Sequence, residues 1–331
     1  MTGTIARAAG ALYGLAIGDA LGMPTQLVPR RTVTALYPTL DGFVDGPDEN
    51  AISRGQAAGR VTDDTAQALI VADLLLDGEG RVDGHDLVTR LLDWARVAEA
   101  DGSEQLGPSS RRALEAIGRG AALEEAGRSG DTNGAAMRIA PVGVAVPPEP
   151  LARLVDRVEE VCRPTHNTGV AVAGAAAVAA AVSAGVAGAP LADALALALR
   201  AAAIGRERGH YSAGADVASR IAWAVGLVDH LDDLQALDAI SDVIGTGVAT
   251  QESVPAAFAI AVRWPDDPWQ ACLKAARLGG DSDTVGAIVG AILGASAGVG
   301  AFPPTAIETV ERVNGLDLER LAARLIALRE R

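Results

Sequence analysis

Two short acidic boxes, more than two hundred residues apart, limit what this chain of 331 residues can fold into. They are Thr62-Asp63-Asp64-Thr65 and Gly279-Gly280-Asp281-Ser282-Asp283-Thr284, and each runs straight into an apolar, helix-like stretch. Four carboxylates are not buried together as bare anions, because desolvation and mutual repulsion both oppose it. A fold must keep the boxes apart in water or gather them around a cation. Gathered, they form an all-oxygen site suited to hard divalent ions. Taken singly, the first box also reads as a plain helix N-cap, since Thr and Asp satisfy free N–H groups and complement the helix dipole. The second box weighs against coincidence. Asp281 and Asp283 are spaced to point the same way from an extended segment, Gly279 and Gly280 permit a tight backbone, and Thr284 opens the next helix. Neither box contains Lys or Arg. No His-x-x-x-His or Cys pair suggests zinc, so Mg2+ or Mn2+ is expected ahead of Ca2+.

Apolar residues make up 49% of the chain but aromatics only 3%, so the core must be filled by Ala, Leu, Val and Ile in closely packed helices. A formal net charge of −14 argues against a nucleic-acid partner, which needs a basic face. Cys162 and Cys272 have no metal-ligand spacing and make no disulfide framework, which fits a reducing, cytoplasmic setting. Met1 to Gly10 carries no apolar core of signal-peptide length. Two apolar runs, Thr168 to Pro190 and Val285 to Pro304, raise a membrane reading, the second with glycines at 286, 290, 294 and 298. Both are rich in Ala and Gly, lack Trp/Tyr belts and have no flanking Lys/Arg asymmetry. They are expected to be buried helices, with the glycine stripe admitting a neighbouring backbone, and no membrane partner is expected.

Helical patterning dominates. Helices are expected over Thr4 to Ala20, Ala66 to Leu76, Asp86 to Ala100, Ser109 to Arg119 and Leu151 to Cys162. Others follow over Thr168 to Ser183, Leu191 to Ile204, Ala215 to Val228, Leu234 to Ile244, Val254 to Val262, Pro268 to Leu278, Val285 to Gly298, Pro304 to Asn314 and Leu316 to Arg329. Met23 to Arg60, with four prolines, reads as a long functional flap. The best strand candidate is Val142 to Val146. No repeat or linker divides the chain, so residues 1–331 are expected to form one all-α domain.

Two further segments could carry chemistry. Gly130-Asp131-Thr132-Asn133-Gly134-Ala135-Ala136-Met137-Arg138 reads either as a connecting loop or as a backbone cradle for an anion, and no Lys follows to make a phosphate-binding lysine loop. In Thr165-His166-Asn167, a structural and a catalytic histidine are both admissible. Tyr211 reads as a surface tyrosine or a platform for a stacked base.

Taken together and in this order, these segments resemble the ADP-ribosylglycohydrolase family, whose members remove ADP-ribose from modified side chains. The resemblance runs from about Gly10 to Phe302. It rests on Gly14-Leu15-Ala16-Ile17-Gly18-Asp19-Ala20-Leu21-Gly22, Thr62-Asp63-Asp64-Thr65, Asn133-Gly134-Ala135-Ala136-Met137-Arg138, Thr165-His166 and Gly279-Gly280-Asp281-Ser282-Asp283-Thr284. It implies a single compact orthogonal helical bundle with two Mg2+ or Mn2+ ions in a cleft. By position, Thr62, Asp63, Asp64, Asp281, Asp283 and Thr284 would be the ligands. Asn133, Gly134, Ala135, Ala136, Met137 and Arg138 would line the pocket for the distal ribose and diphosphate, with His166 beside them. Asp19 would brace the first loop. Many members of the family carry a Glu just after the Gly-Asp-Ala-Leu-Gly segment, whereas this chain offers Gln26, an amide that is no carboxylate base.

The expected chemistry is hydrolysis of an N- or O-glycosidic ribosyl bond, with metal ions gripping ribose hydroxyls and activating water, and carboxylates stabilising an oxocarbenium-like state. Asp64 is the candidate bridging or water-orienting residue and Asp131 the candidate for proton transfer. The expected substrate is an ADP-ribosylated protein side chain. Gln26 and the scarcity of aromatics favour an alternative, a free ribosyl metabolite or nucleoside. A catalytically inactive binding relative is the remaining alternative.

Overall fold

Helices walled with Ala, Val and Gly approach one another closely, and the computed structural model, which describes residues 3–100 and 106–331, is built from such contacts. Met1, Thr2 and residues 101–105, part of the span expected to form one domain, lie outside the described residues. Among the described residues there are eighteen α-helices and no strand, only three isolated bridges.

The glycine stripe finds its partner in the first helix, Gly3–Gly22, which carries glycines at the same four-residue spacing. That helix packs along Ser282–Ala297, with Gly10 against Gly294, Gly14 against Gly290 and Gly18 against Gly286. A Cβ added at any of these positions would overlap a carbonyl oxygen of the facing helix. Contacts this close bring Cα–H groups against carbonyls, as in packed membrane helices. The order of the pairs makes the helices antiparallel. The C-terminal end of the first, with Asp19 and Gly22, therefore meets the N-terminal end of the second, with Ser282 and Asp283. The Ser282 hydroxyl closes the junction, donating to the Gly22 carbonyl at 3.0 Å.

A second apolar helix, Gly169–Val186, is buried along its whole length. By length and composition it could cross a membrane, but every residue of it is covered by the protein's own helices. Its N-terminus is capped by Thr168, whose hydroxyl accepts from Ala171 N at 3.2 Å. Its neighbours include the one-turn helix Gly134–Met137, Ala140–Ala145, Leu191–Gly205 and Ser282–Ala297. Through these contacts the residues after Asn133 are carried to the junction where the acidic boxes meet.

Three sequence expectations change. Val142 to Val146, expected as a strand, belongs largely to the helix Ala140–Ala145: Pro141 suits a first turn, and Gly143 lies against the Ala179 carbonyl of the buried helix, leaving no partner strand. Leu234 to Ile244 divides into the helix Asp233–Ala239, with a capping box of Asp232 and Gln235, and a π-helical turn over Ile240–Ile244. The long flap contains a short helix, Arg30–Leu36. The two cysteines are buried and unpaired.

The close glycine contacts predict opposite outcomes for one substitution at two sites. Gly14→Ala, where the methyl meets the Gly290 backbone, should cost about 3 kcal/mol in chemical denaturation. Gly226→Ala, in Val217–Val228 with open space at the Cβ, should instead gain roughly 0.5–1 kcal/mol.

Candidate active site

The helix junction assembles an acidic wall. Thr62 caps the helix Asp63–Asp77, its hydroxyl accepting from Asp64 N at 3.4 Å. Asp19, fully buried at the end of the first helix, holds this cap in place. Its carboxylate accepts from Thr62 N at 3.0 Å, Thr65 N at 3.1 Å and the Thr65 hydroxyl at 2.5 Å. Burial raises the Asp19 carboxyl to about 6, against the pull of those hydrogen bonds. Asp19 is thus a brace, committed to the loop beneath the first box.

The second box approaches from the other side. Gly279 and Gly280 both take left-handed backbone, φ 66° and 62°, and a Cβ there would strike Val28 or Thr246. The turn pairs Gly280 with Val28, whose carbonyl accepts from Gly280 N at 3.0 Å, while Asp281 N donates to the Thr246 carbonyl at 2.6 Å. Leu27, on the strained side of that pairing, adopts φ 55° and stays half exposed at the mouth of the site.

Asp63, Asp64, Asp281 and Asp283 all line one cavity of about 170 Å³. With them are Thr284, Gln26, Leu27, Ile52, Leu106 to Pro108, Ser110, Thr132 to Gly134, Met137, His166 and Val248. No Lys or Arg is among the described residues that line it. Burial, and then the neighbouring carboxylates, push Asp63, Asp64 and Asp283 well above the usual carboxylate range. Burial also raises Asp281, opposed by hydrogen bonds from Asn133 and Thr284. Two oxygens, Oδ1 of Asp64 and Oδ1 of Asp283, are buried with no hydrogen-bond partner. Orphaned carboxylate oxygens in an acidic cavity fit a divalent cation, which takes oxygen ligands and offsets the charge. The fit is to the donor set: among the described residues, no three His, Cys, Asp or Glu side chains already form a group able to hold an ion.

The opposite wall comes from the segment after Gly130 and from His166. Asn133 Nδ2 donates to Asp281 Oδ2 at 2.5 Å and to the Ser253 hydroxyl at 3.0 Å, tying the two walls together. Gly134 lies flat against the His166 ring, where a Cβ would come within 2.9 Å. Burial, then Arg138 and Arg112, hold His166 well below its usual pKa, so it is neutral. Gln26 is buried, and its amide donates to the Met23 carbonyl at 3.2 Å.

The sequence-predicted residues divide accordingly. Gln26, Asp63, Asp64, Asn133, Gly134, Met137, His166, Asp281, Asp283 and Thr284 come together around the cavity. Thr62 is not among the lining residues and caps the helix that begins at Asp63. Ala135 and Ala136, expected to line the pocket, are core residues, because the one-turn helix points them inward. Arg138, also expected in the pocket, is fully buried behind it and bonded to Gln67, Thr165 and the Val161 carbonyl. Asp131 does not line the cavity; its carbonyl accepts from the Thr250 hydroxyl at 2.8 Å. Tyr211 lines a separate cavity with Arg206 and His210. Sequence reasoning missed Ser110, Ile52, Leu106 to Pro108 and Val248, which carry no local motif, and left Thr132 unassigned inside a segment it had marked.

The whole chain, residues 1–331, matches the sequence model of the ADP-ribosylglycohydrolases. The chain belongs to the ADP-ribosylglycohydrolase family. The chain is 38% identical over 328 residues to the uncharacterized protein YegU of Escherichia coli (strain K12), covering 98% of this chain and 97% of that one. It is 26% identical over 324 residues to the ADP-ribosyl-dinitrogen reductase glycohydrolase of Rhodospirillum rubrum, covering 97% and 96%. A solved structure described as an ADP-ribosylglycohydrolase-related protein complex superposes with a TM-score of 0.72 at 27% identity, covering 99% of this chain and all of that one. The family is one of glycohydrolases acting on ADP-ribosylated substrates, and its all-α fold is the fold of this glycohydrolase-family chain.

The raised carboxyls give a signed prediction. A group whose pKa is higher folded than unfolded stabilises below its unfolded value, and that contribution is lost as pH rises through the folded value. In chelator, the melting temperature should therefore fall as pH rises from about 4 through about 6, the window set by Asp19, and go on falling above it as the wall aspartates, raised above their usual range, ionise. Asp64→Asn, which removes one of the mutually repelling charges, should raise the melting temperature in chelator at about pH 8 and flatten the slope.

Proposed function

We propose that this chain is a divalent-metal-dependent glycosidic hydrolase that removes ADP-ribose from a modified side chain. One observation carries the reading: four aspartates from two boxes far apart in sequence line a single cavity with no Lys or Arg among its described lining residues, and with an orphaned oxygen on Asp64 and another on Asp283. Asp63, Asp64, Asp281 and Asp283, with Thr62 and Thr284, would hold two Mg2+ or Mn2+ ions, the cations that an all-oxygen donor set favours. Held there, the ions would supply Lewis acidity toward ribose hydroxyls and an attacking water.

The chain's own residues account for the rest. A ribosyl group bound in the cavity would lie against these carboxylates, whose negative field would stabilise the positive charge that develops as the glycosidic bond breaks. Gln67 donates to Asp63 Oδ2 at 3.2 Å and Asn133 holds Asp281, so two wall carboxylates are aimed before substrate arrives. Asp19 keeps the Thr62 to Thr65 turn fixed while the wall changes charge. Gln26 presents a neutral amide, so the cavity carries one negative charge fewer than with a carboxylate at that position. Asp131, outside the lining, is not retained as the proton-transfer residue, and Asp64 becomes the leading candidate.

A second reading draws on the cavity itself. No Phe, Tyr or Trp is among the described residues that line it, and about 170 Å³ is below the roughly 300 Å³ at which pockets for drug-sized ligands begin. It suits a single ribosyl ring and offers adenine no stacking partner, which favours a free ribosyl metabolite or nucleoside as substrate. Hydrolysis assays with ADP-ribosylarginine and with free nucleosides, each with and without Mg2+ or Mn2+, separate the two. The expected result is metal-dependent release of ADP-ribose from ADP-ribosylarginine, lowered about a hundredfold or more by Asp281→Asn or Asp283→Asn. Release from nucleosides alone would favour the second reading, and no release from either would sink both. Gln26→Glu, which adds a carboxylate, should lower the metal concentration needed for half-maximal thermal stabilisation.

A further inference from the structure

The fully buried Arg138 lies close behind the site, and its hydrogen bonds fix the direction of those that follow. A guanidinium can only donate. Arg138 Nη2 lies 2.7 Å from the Thr165 hydroxyl and Nη1 lies 2.9 Å from Gln67 Oε1, so both oxygens accept. Thr165 is itself fully buried and has a second partner, His166 Nδ1, at 2.7 Å. If Nδ1 carried the proton, Thr165 would accept twice and its own hydrogen would be buried without an acceptor, at a cost of about 1–3 kcal/mol. The Thr165 proton therefore goes to Nδ1, and the neutral ring carries its hydrogen on Nε2. Nε2 lies 3.1 Å from the Thr132 hydroxyl, which must accept. That leaves the Thr132 proton without a partner among the described residues, on a residue that lines the cavity opposite the acidic wall. On the other arm the Gln67 amide, its oxygen taken by Arg138, must turn its nitrogen toward Asp63 Oδ2.

We propose that Arg138 is a positioning residue that, through Thr165, locks His166 in its Nε2–H tautomer and so makes Thr132 a hydrogen-bond donor to an acceptor oxygen of the ribosyl substrate. The direction is the discriminating property. A hydroxyl already occupied as acceptor selects for an oxygen that accepts, such as a ring or phosphate oxygen, and does little for a group that only donates. The identity of the substrate rests on the function proposed above; the tautomer does not.

The test has two arms. In protein labelled with 15N-histidine, His166 is identified against His85, His210 and His230 by the loss of its signals in His166→Asn, and the shifts of its two ring nitrogens report the tautomer. The expected result is Nε2–H in the wild type, a mixture of tautomers in Thr165→Val, and recovery in Thr165→Ser, which restores the hydroxyl. An Nδ1–H ring in the wild type, or an unchanged tautomer in a folded Thr165→Val, overturns the relay. In the second arm, calorimetry with free ADP-ribose should show Thr132→Val binding roughly three- to tenfold more weakly, with Thr132→Ser close to wild type. Equal affinity for Thr132→Val and wild type overturns the donor role of Thr132. Failure of the wild type to bind ADP-ribose removes the functional reading and that role together, while the nitrogen shifts still decide the tautomer.

Discussion

The contact between two glycine-striped helices is the constraint from which the site follows. Gly10, Gly14 and Gly18 face Gly294, Gly290 and Gly286 so closely that a methyl group on either side would enter the other backbone. Side chains do not set the spacing; the backbones do. Because the helices are antiparallel, this contact fixes the offset between Asp19 at the end of one and Asp283 at the start of the other. The turn through Gly279 and Gly280 then has only one way to enter the second helix, and Asp281 is carried into the cavity with it.

Around that fixed seam, charge is distributed unevenly. The cavity holds four aspartates and no cation of the chain's own, while Arg138 stands one layer behind, bonded to Gln67 and Thr165. A guanidinium inside the cavity would neutralise the carboxylates and leave nothing for a divalent ion to do. Placed behind it, the same group leaves the wall's charge in place and instead orients amides and hydroxyls. Burial draws its pKa down only to about 10, so it remains charged at neutral pH.

Much of this was readable from residues alone. The acidic boxes, the helical periodicity and the glycine stripe are local patterns, and each found its place: helix starts, helix spans and a close backbone contact. What stayed hidden was direction and pairing. The stripe at Gly286, Gly290 and Gly294 announces that some backbone comes near, but the partner, Gly10 to Gly18, lies at the other end of the chain. Arg138 sits next to Met137, which lines the cavity, yet points the other way, because a single turn of helix over Gly134–Met137 rotates successive side chains by about 100°. Val142 to Val146 alternates weakly and was readable as a strand; its helix is imposed by the packing of Gly143 on the Ala179 carbonyl. Ile52 and Val248 join the site from loops and Ser110 from the first turn of the helix Pro108–Gly118, positions that no spacing rule marks.

The floor and the rim of the cavity come from different kinds of backbone. The floor belongs to the helix ends that carry the aspartates, whereas Leu27, Ile52, Leu106, Gly107 and Val248 come from connections. Natural variation therefore acts on the two separately. A substitution at the seam between the glycines is purged for its effect on folding, and a substitution at Leu27 or Ile52 changes only the shape of the doorway. Such a scaffold can hold its acidic floor fixed while the doorway changes shape, because the two draw on separate stretches of backbone.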